Sequence, residues 1–212
     1  MPLFLEGNNV NTKEAILLVA LRLFSRSGYE AVSVRDIAKQ LGITQSALYK
    51  HYASKQDIFD SIVKRMRDND FERARMFKVP AGSFSEMAEA YGNTPLEQIK
   101  RFTEAQFRYW TEDEFASCFR KMLTIEQYRN QEMTELYQQY LSSGVIEYLA
   151  DIFREMSEQM DWKYNTKQLA LEYFAPIYML MNLYDGTENK EEPIKLVREH
   201  IACFSMSYKL RK

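Results

Sequence analysis

The chain has 212 residues with 46% hydrophobic and 14% aromatic content, a composition that excludes collagen-like, low-complexity and disordered classes and fits one ordinary domain, or a small module joined to a larger one. Seven glycines and five prolines are few for a fold built on tight β turns, so long helices are favoured. The net charge of −2 excludes a surface that is basic all over, but residues 22–67 carry nine basic against four acidic side chains, a net +5, and residues 68–212 sum to −6.

The first residues, Met1 to Asn9, carry Glu6 and no basic group ahead of a brief apolar stretch, which is not the plan of an export signal. Asn11 with Glu14 opens the first helix, Ile16, Val19, Ala20, Leu23 and Phe24 recur at helical spacing, and Gly28 ends it. Ser33 with Asp36 opens a second, two-turn helix along Val34, Ile37, Ala38 and Leu41, which Gly42 stops in a left-handed turn. Thr44 caps a third short helix to about Tyr52, and Ser54 with Asp57 opens a fourth through Ile58, Phe59, Ile62 and Met66 to about Phe77. Two short helices joined by a glycine turn make a helix-turn-helix.

Pro80, Gly82, Gly92 and Pro95 break the pattern and are read as a hinge. Helical spacing returns at Thr94 through Ile99, Phe102, Gln106, Tyr109 and Trp110, followed by Phe115 to Leu123 and a long stretch from Ile125 to Met160 with an interruption at Gly144. The last two helices are expected over Thr166–Tyr184 and Pro193–Leu210. The uncharged run Tyr173 to Tyr184 is too short to span a bilayer and is expected as a buried helix. The expected organisation is therefore all-α. A three-helix module fills 8–54, a connecting helix 55–79, and a helical bundle 80–212.

If Leu48 and Tyr52, four apart, face the core beside Ile37 and Leu41, then Gln45, Ser46, Tyr49 and Lys50 point outward. Gln45 suits the paired edge of adenine, Ser46 donates or accepts, Ala47 fits a thymine methyl, and Arg35 suits guanine. Lys50 and His51 suit a base or a phosphate equally. Tyr49 and Thr44 bear hydroxyls for phosphate oxygens, and Lys55, in the first turn of the fourth helix, is expected on a phosphate. The alternative for Lys50 and Lys55 is a solvated surface side chain.

Leu48, Tyr49, His51, Tyr52, Ser54 and Lys55, behind Ser33, Asp36, Ile37, Ala38, Leu41 and Gly42 and the Ala20, Leu23, Phe24, Gly28, Tyr29 pattern, resemble the DNA-binding domain of the tetracycline-repressor family over about residues 12–60. Tyr52 stands where phenylalanine is commoner. The resemblance implies a regulator that binds a palindromic duplex operator as a homodimer, with Tyr49 and His51 in the backbone clamp, and a ligand in the C-terminal bundle that moves the fourth helix.

No Gly-rich phosphate loop, nucleophile elbow or metal-ligand spacing stands in the chain, so no enzyme, cofactor or metal is expected. His200 lacks a partner at ligand spacing and is read as an ordinary histidine. Glu112, Asp113 and Glu114 read as solvated acids at a helix start. Cys118 and Cys203 are expected as free, buried thiols of a cytoplasmic protein.

Between residues 94 and 184 tyrosine, phenylalanine, methionine and tryptophan are in surplus, and each buried hydroxyl needs a partner. Phe102, Gln106, Tyr109, Trp110, Phe119, Met122, Tyr128, Tyr137, Phe174 and Tyr178 are therefore expected to line a pocket for a small apolar or aromatic effector, with Gln127 at its polar edge. Homodimerisation is assigned to the last two helices. Paired face to face as a four-helix bundle, these helices have Leu169, Leu171, Phe174, Ile177, Tyr178 and Met181 and a continuous stripe of Ile194, Val197, Ile201, Phe204 and Tyr208 available, part of which must serve the bundle itself. No membrane partner is expected. The reading is a ligand-responsive repressor; the alternative is a helical ligand-binding or protein-interaction bundle whose helix-turn-helix has another role.

Overall fold

The computed structural model describes residues 11–76, 83–92, 96–160 and 163–208. Among these every regular element is helical: α1 (Thr12–Ser27), α2 (Val34–Leu41), α3 (Gln45–Tyr49), α4 (Lys55–Met76), α5 (Phe84–Gly92), α6 (Leu96–Glu112), α7 (Glu114–Glu126), α8 (Gln131–Leu141), α9 (Ser143–Met160), α10 (Thr166–Gly186) and α11 (Glu191–Ser207). No helix among the described residues is long and apolar enough to cross a membrane. The chain divides into two compact units, residues 1–74 with 114–135, and residues 75–113 with 136–212.

Three expectations about the elements need correction. The stretch read as a hinge holds α5, because Ser83 and Glu86 cap it reciprocally: the Glu86 amide donates to Ser83 Oγ at 3.3 Å and the Ser83 amide to Glu86 Oε2 at 2.7 Å. Pro80, Gly82, Thr94 and Pro95 lie outside the described residues, as do Phe77, Leu210 and the 79/80 boundary. The stretch from Ile125 to Met160 is three helical segments. Asn130 accepts from the Met133 amide at 3.2 Å, and Thr134 Oγ1 donates to the Gln127 carbonyl at 2.6 Å, which separates α7 from α8. α10 buries Ile177 and Met181 but exposes Leu171, Met179 and Leu183, so it is covered on one face only.

The first unit is organised around α1. The expected stripe is buried at Ile16, Val19, Ala20 and Phe24, with Leu23 half-buried, and Leu17 and Leu21 are buried as well. α1 therefore needs covering on a second face. α7 packs on α1 and brings Phe115, Ala116, Phe119, Met122 and Leu123 inward at helical spacing. Arg22 grips Glu114 with two bonds of 2.5 and 2.8 Å, and the Arg65 guanidinium pairs with Glu14 and lies 4.7 Å from the Phe115 ring centre. Glu114, one of the acids expected to be solvated, is thus half of an ion pair, and its carboxyl is held below its ordinary range by the Arg22 hydrogen bonds.

Tyr29 closes the other end of α1. Its ring packs edge-on against Phe24 at 5.1 Å and tilted on Phe59 at 5.3 Å, and its hydroxyl donates to Gln56 Oε1 at 2.9 Å. Burial, then the charges of Glu30, Glu132 and Asp60, push its phenol up to about 12.

The second unit has two clusters of buried residues. One joins α5, α9, α10 and α11 through Ala88, Ile152, Phe153, Leu169 and Phe204; the other joins α6, α10 and α11 through Phe107, Ile177, Met181, Ile194, Val197 and Ile201. Tyr173 packs against both. Its hydroxyl shares a 2.8 Å hydrogen bond with Thr103, and its carbonyl pairs with His200 Nε2 at 2.9 Å, which gives that histidine the ordinary role expected of it. Glu112, another of the expected solvated acids, accepts from Arg108 at 2.6 Å. Pro193 is the third residue of α11, where no intrahelical amide bond is lost. Both cysteines are free, but neither is buried: Cys118 is half-buried and Cys203 lies on the outer face of α11.

Because Phe119 is fully buried in the first unit, Phe119→Ala is expected to cost about 3–5 kcal/mol there and to speed amide exchange at Ile16, Ala20 and Phe24, residues a hundred positions away in sequence. Unchanged exchange in α1 refutes the packing of α7 on α1. For Tyr29, folding favours the neutral phenol, so its contribution is fully present below the unfolded value near 10 and is lost as pH rises through about 12. Urea midpoints compared on either side of that window should fall more for the native chain than for Tyr29→Phe.

Candidate nucleic-acid interface

α2 begins at a reciprocal cap, in which Ser33 Oγ accepts from the Asp36 amide at 3.2 Å and the Ser33 amide donates to Asp36 Oδ2 at 2.9 Å. The Ser33 hydroxyl and then its amide hold the Asp36 carboxyl below its ordinary range. The helix stops at Gly42, whose φ of 69° and ψ of 25° lie in the left-handed region that a side chain disfavours. The next amide, Ile43, closes the turn on the Ala38 carbonyl at 3.0 Å. Thr44 Oγ1 then accepts from the Ala47 amide at 3.1 Å and starts α3 three residues after α2. The turn is short because both ends are capped from within it.

α3 is a single turn held by one fully buried side chain, Leu48, with Tyr52 2% exposed just beyond. The Tyr52 hydroxyl donates to the Lys13 carbonyl at 3.2 Å, and the Lys13 ammonium lies 5.1 Å from its ring centre. This chain's tyrosine at a position where phenylalanine is commoner therefore has a partner for its added oxygen. With Leu48 and Tyr52 turned inward, Thr44, Gln45, Ser46, Tyr49 and Lys50 are exposed, Tyr49 at 51%, and Ala47 and His51 are half-buried. Arg35, in the first turn of α2, is exposed too. All nine residues expected on nucleic acid are thus at least partly open to solvent, eight of them on or beside two short helices and Lys55 at the start of α4.

Lys55 is placed differently from the expectation. Its ammonium donates to the Tyr29 carbonyl at 2.9 Å and the Val32 carbonyl at 3.1 Å, and lies 4.2 Å from the Tyr29 ring centre. Two of its three N–H groups are thereby used on the loop between α1 and α2, whose carbonyls have no helical partner to take. The sequence shows a lysine in a first helical turn, an anion-binding position. It does not show that two loop carbonyls lie within reach of the ammonium.

The residues expected around an effector belong to both units. Phe119 and Met122 are buried in the first unit, and Tyr128, also there, is 89% exposed. Phe119 and Met122 are taken up by the packing of α7 on α1. The remaining seven lie in the second unit: Tyr109 is buried, and Phe102, Gln106, Trp110, Tyr137, Phe174 and Tyr178 are half-buried. Tyr137 and Tyr178 share a 3.0 Å hydroxyl hydrogen bond, Phe174 stacks on Tyr178 at 6.2 Å, and Trp110 meets Tyr109 at 5.8 Å and Tyr140 at 6.4 Å. Gln127, expected at the polar edge, lies in the first unit and donates to the Thr124 carbonyl at 2.9 Å.

Residues 16–62 match the description of the bacterial regulatory proteins of the tetR family. Over 80 residues the chain is 38% identical to the HTH-type transcriptional regulator AcrR of Shigella flexneri, covering 37% of each chain. Over 130 residues it is 29% identical to the HTH-type transcriptional repressor KstR2 of Rhodococcus jostii, covering 61% of this chain and 63% of that one. The chain thus spans about a third to less than two thirds of the length of these relatives. Two solved structures are similar over nearly the whole chain. A TetR-family transcriptional regulator of Agrobacterium tumefaciens has a TM-score of 0.64 at 17% identity, with 92% of this chain and 98% of that one covered. The fatty acid degradation regulator FadR of Bacillus halodurans has 0.61 at 15%, with 93% and 96% covered. At such identities the likeness is one of fold. The sequence likeness to the tetR family of bacterial regulatory proteins thus lies in the helix-turn-helix, and the likeness of fold extends beyond it.

Proposed function

We propose that the protein is a DNA-binding transcriptional regulator, a repressor that binds a palindromic operator as a homodimer and leaves it when a small apolar or aromatic effector binds its second unit. The observation that carries this reading is the surface of α3, where a buried Leu48 and Tyr52 leave Gln45, Ser46, Tyr49 and Lys50 exposed on one turn. Such a turn enters a major groove side chains first. Gln45 pairs with an adenine edge, Ser46 and Ala47 contact neighbouring bases, and Arg35 reaches guanine from α2. Thr44, Tyr49, Lys50 and His51 hold phosphates and fix register. Thr44 can do so while capping α3, because its oxygen accepts from Ala47 and its proton stays available. Lys55 acts one step back, by fixing the loop that precedes α2.

A palindrome demands a two-fold dimer. Much of the apolar surface of the last two helices is consumed inside the second unit, including Leu169, Ile177, Met181, Ile194, Val197, Ile201 and Phe204. What α10 and α11 leave outward is Leu171, Met179 and Leu183 on one and Leu196, Cys203 and Met206 on the other, and this is the face we assign to the dimer. The effector site is assigned to the aromatic group of the second unit around Trp110, Tyr137, Phe174 and Tyr178. Its hydroxyls are paired with each other and the group is rich in apolar rings, which suits a flat or lipophilic molecule.

With a duplex selected from a random library by the native protein as probe, Gln45→Ala is expected to lose about 1–3 kcal/mol of discrimination at one base pair, and Lys50→Ala to weaken all duplexes alike with a salt slope smaller by about one. Equal effects of the two on every sequence refute the division of roles. In sedimentation at micromolar concentration the native chain is expected at twice its 25.1 kDa mass, and Met179→Asp, which sets a charge in the outward face of α10, at the monomer mass. A Met179→Asp protein that stays dimeric moves the interface elsewhere.

A further inference from the structure

α7 buries two charged side chains, Arg120 and Glu126, and the second stands at the end of its apolar row. Phe115, Phe119, Met122 and Leu123 are buried at helical spacing, and the next residue in phase is Glu126, which is 0% exposed. Neither of its carboxylate oxygens has a hydrogen-bond partner. Arg129 Nη1 lies 3.7 Å from Oε1, an ion pair without a hydrogen bond, and the arginine is itself largely exposed. A buried carboxylate so poorly paired costs stability, and an apolar side chain of similar size in its place is neutral or stabilising. Its retention on an apolar face has no account in packing alone.

What the carboxylate meets is the end of α1. Gly28 closes that helix with φ at 85°, and a Cβ built on it collides with Glu126 Oε1 and lies 3.3 Å from Glu126 Cδ and 3.4 Å from Arg129 Nη1. Glu126 therefore fills the space that the missing side chain of residue 28 leaves. Directly after Gly28 come Tyr29 and Val32, whose carbonyls hold the Lys55 ammonium, and then the Ser33 cap of α2. The same corner of the first unit touches this loop again: Glu132 Oε2 accepts from Gln56 Nε2 at 3.1 Å, and Gln56 in turn accepts from the Tyr29 hydroxyl.

We propose that Glu126 is a positioning residue for DNA binding: its carboxylate, seated against Gly28, fixes the loop from α1 to α2 and with it the aim of α2 and α3. Stability is given up at this point for a single loop position. The inference rests on the DNA-binding reading, and its test separates the two.

Four proteins are compared: native, Glu126→Ala, Glu126→Gln and Gly28→Ala/Glu126→Ala. Each is measured for urea stability, for amide exchange at Tyr29 to Val32, and for affinity to the library-selected duplex by fluorescence anisotropy. Glu126→Ala is expected to be as stable as native or more so, to speed loop exchange about tenfold and to bind the duplex about five- to tenfold more weakly, a size typical of coupling through a neighbouring element. Glu126→Gln, which keeps the shape, is expected within about twofold of native affinity. Gly28→Ala alone meets the carboxylate as well as the φ strain, so a fifth protein with that single change is expected to be less stable than the double variant, reversing simple additivity. Stability and affinity falling together in Glu126→Ala, or duplex affinity and loop exchange unchanged, overturns the proposal. If the native protein selects no duplex, it is the DNA-binding reading that fails. The exchange rates and the Gly28–Glu126 cycle then still decide whether Glu126 fixes the loop.

Discussion

The Lys55 ammonium, shared between the Tyr29 and Val32 carbonyls and resting on the Tyr29 ring, joins the start of α4 to the loop that launches α2. Loops between helices carry carbonyls that no helix satisfies, and here two of them converge on one cation. Charge-assisted bonds are about twice as strong as neutral ones, and the aromatic face beneath adds a cation–π term. Fixing the loop that leads into α2 matters because α3 is one turn long and has a single fully buried anchor, Leu48. A helix that short does not hold itself in place; its direction is inherited from α2 through the Gly42 turn.

The first unit adds to this a second layer of restraint from far along the chain. α7 covers a second face of α1, and its two ends meet α1 in different ways: Glu114 by a paired salt bridge to Arg22, Glu126 by a carboxylate without a hydrogen-bond partner against Gly28. The first contact is partly solvated and worth little in isolation. The second is dry and costs energy. Their difference separates a contact that supports the fold from one that fixes a position within it.

In the second unit several inward tyrosine hydroxyls find partners. Tyr173 bridges the two buried clusters and finds Thr103; Tyr137 finds Tyr178. Burial pushes the Tyr173 phenol up, and the Thr103 bond pulls against it. These are specific pairings within a mostly apolar bundle, and they set which rings meet where an oily core alone would allow several arrangements.

Much of this was legible along the chain. Ser33 with Asp36, Gly42, Thr44 and Ser54 with Asp57 are local signals, each acting through backbone groups within four residues, so the limits of α2, the start of α3 and the inward turn of Leu48 follow from sequence. The Ser83 and Glu86 cap is a signal of the same kind, overshadowed in reading by the glycines and prolines around it. What sequence could not decide is which helix covers which. Leu17 and Leu21 state that α1 has a second apolar face, but not that residues 114–126 fill it, and Phe119 and Met122 look as fit for a ligand pocket as Phe102 or Tyr178. The partners of Lys55 and the neighbour of Glu126 were beyond reach for the same reason. A side chain's spacing fixes its direction from its own helix; the atom waiting there is set by how distant segments pack, and only the tertiary structure decides that.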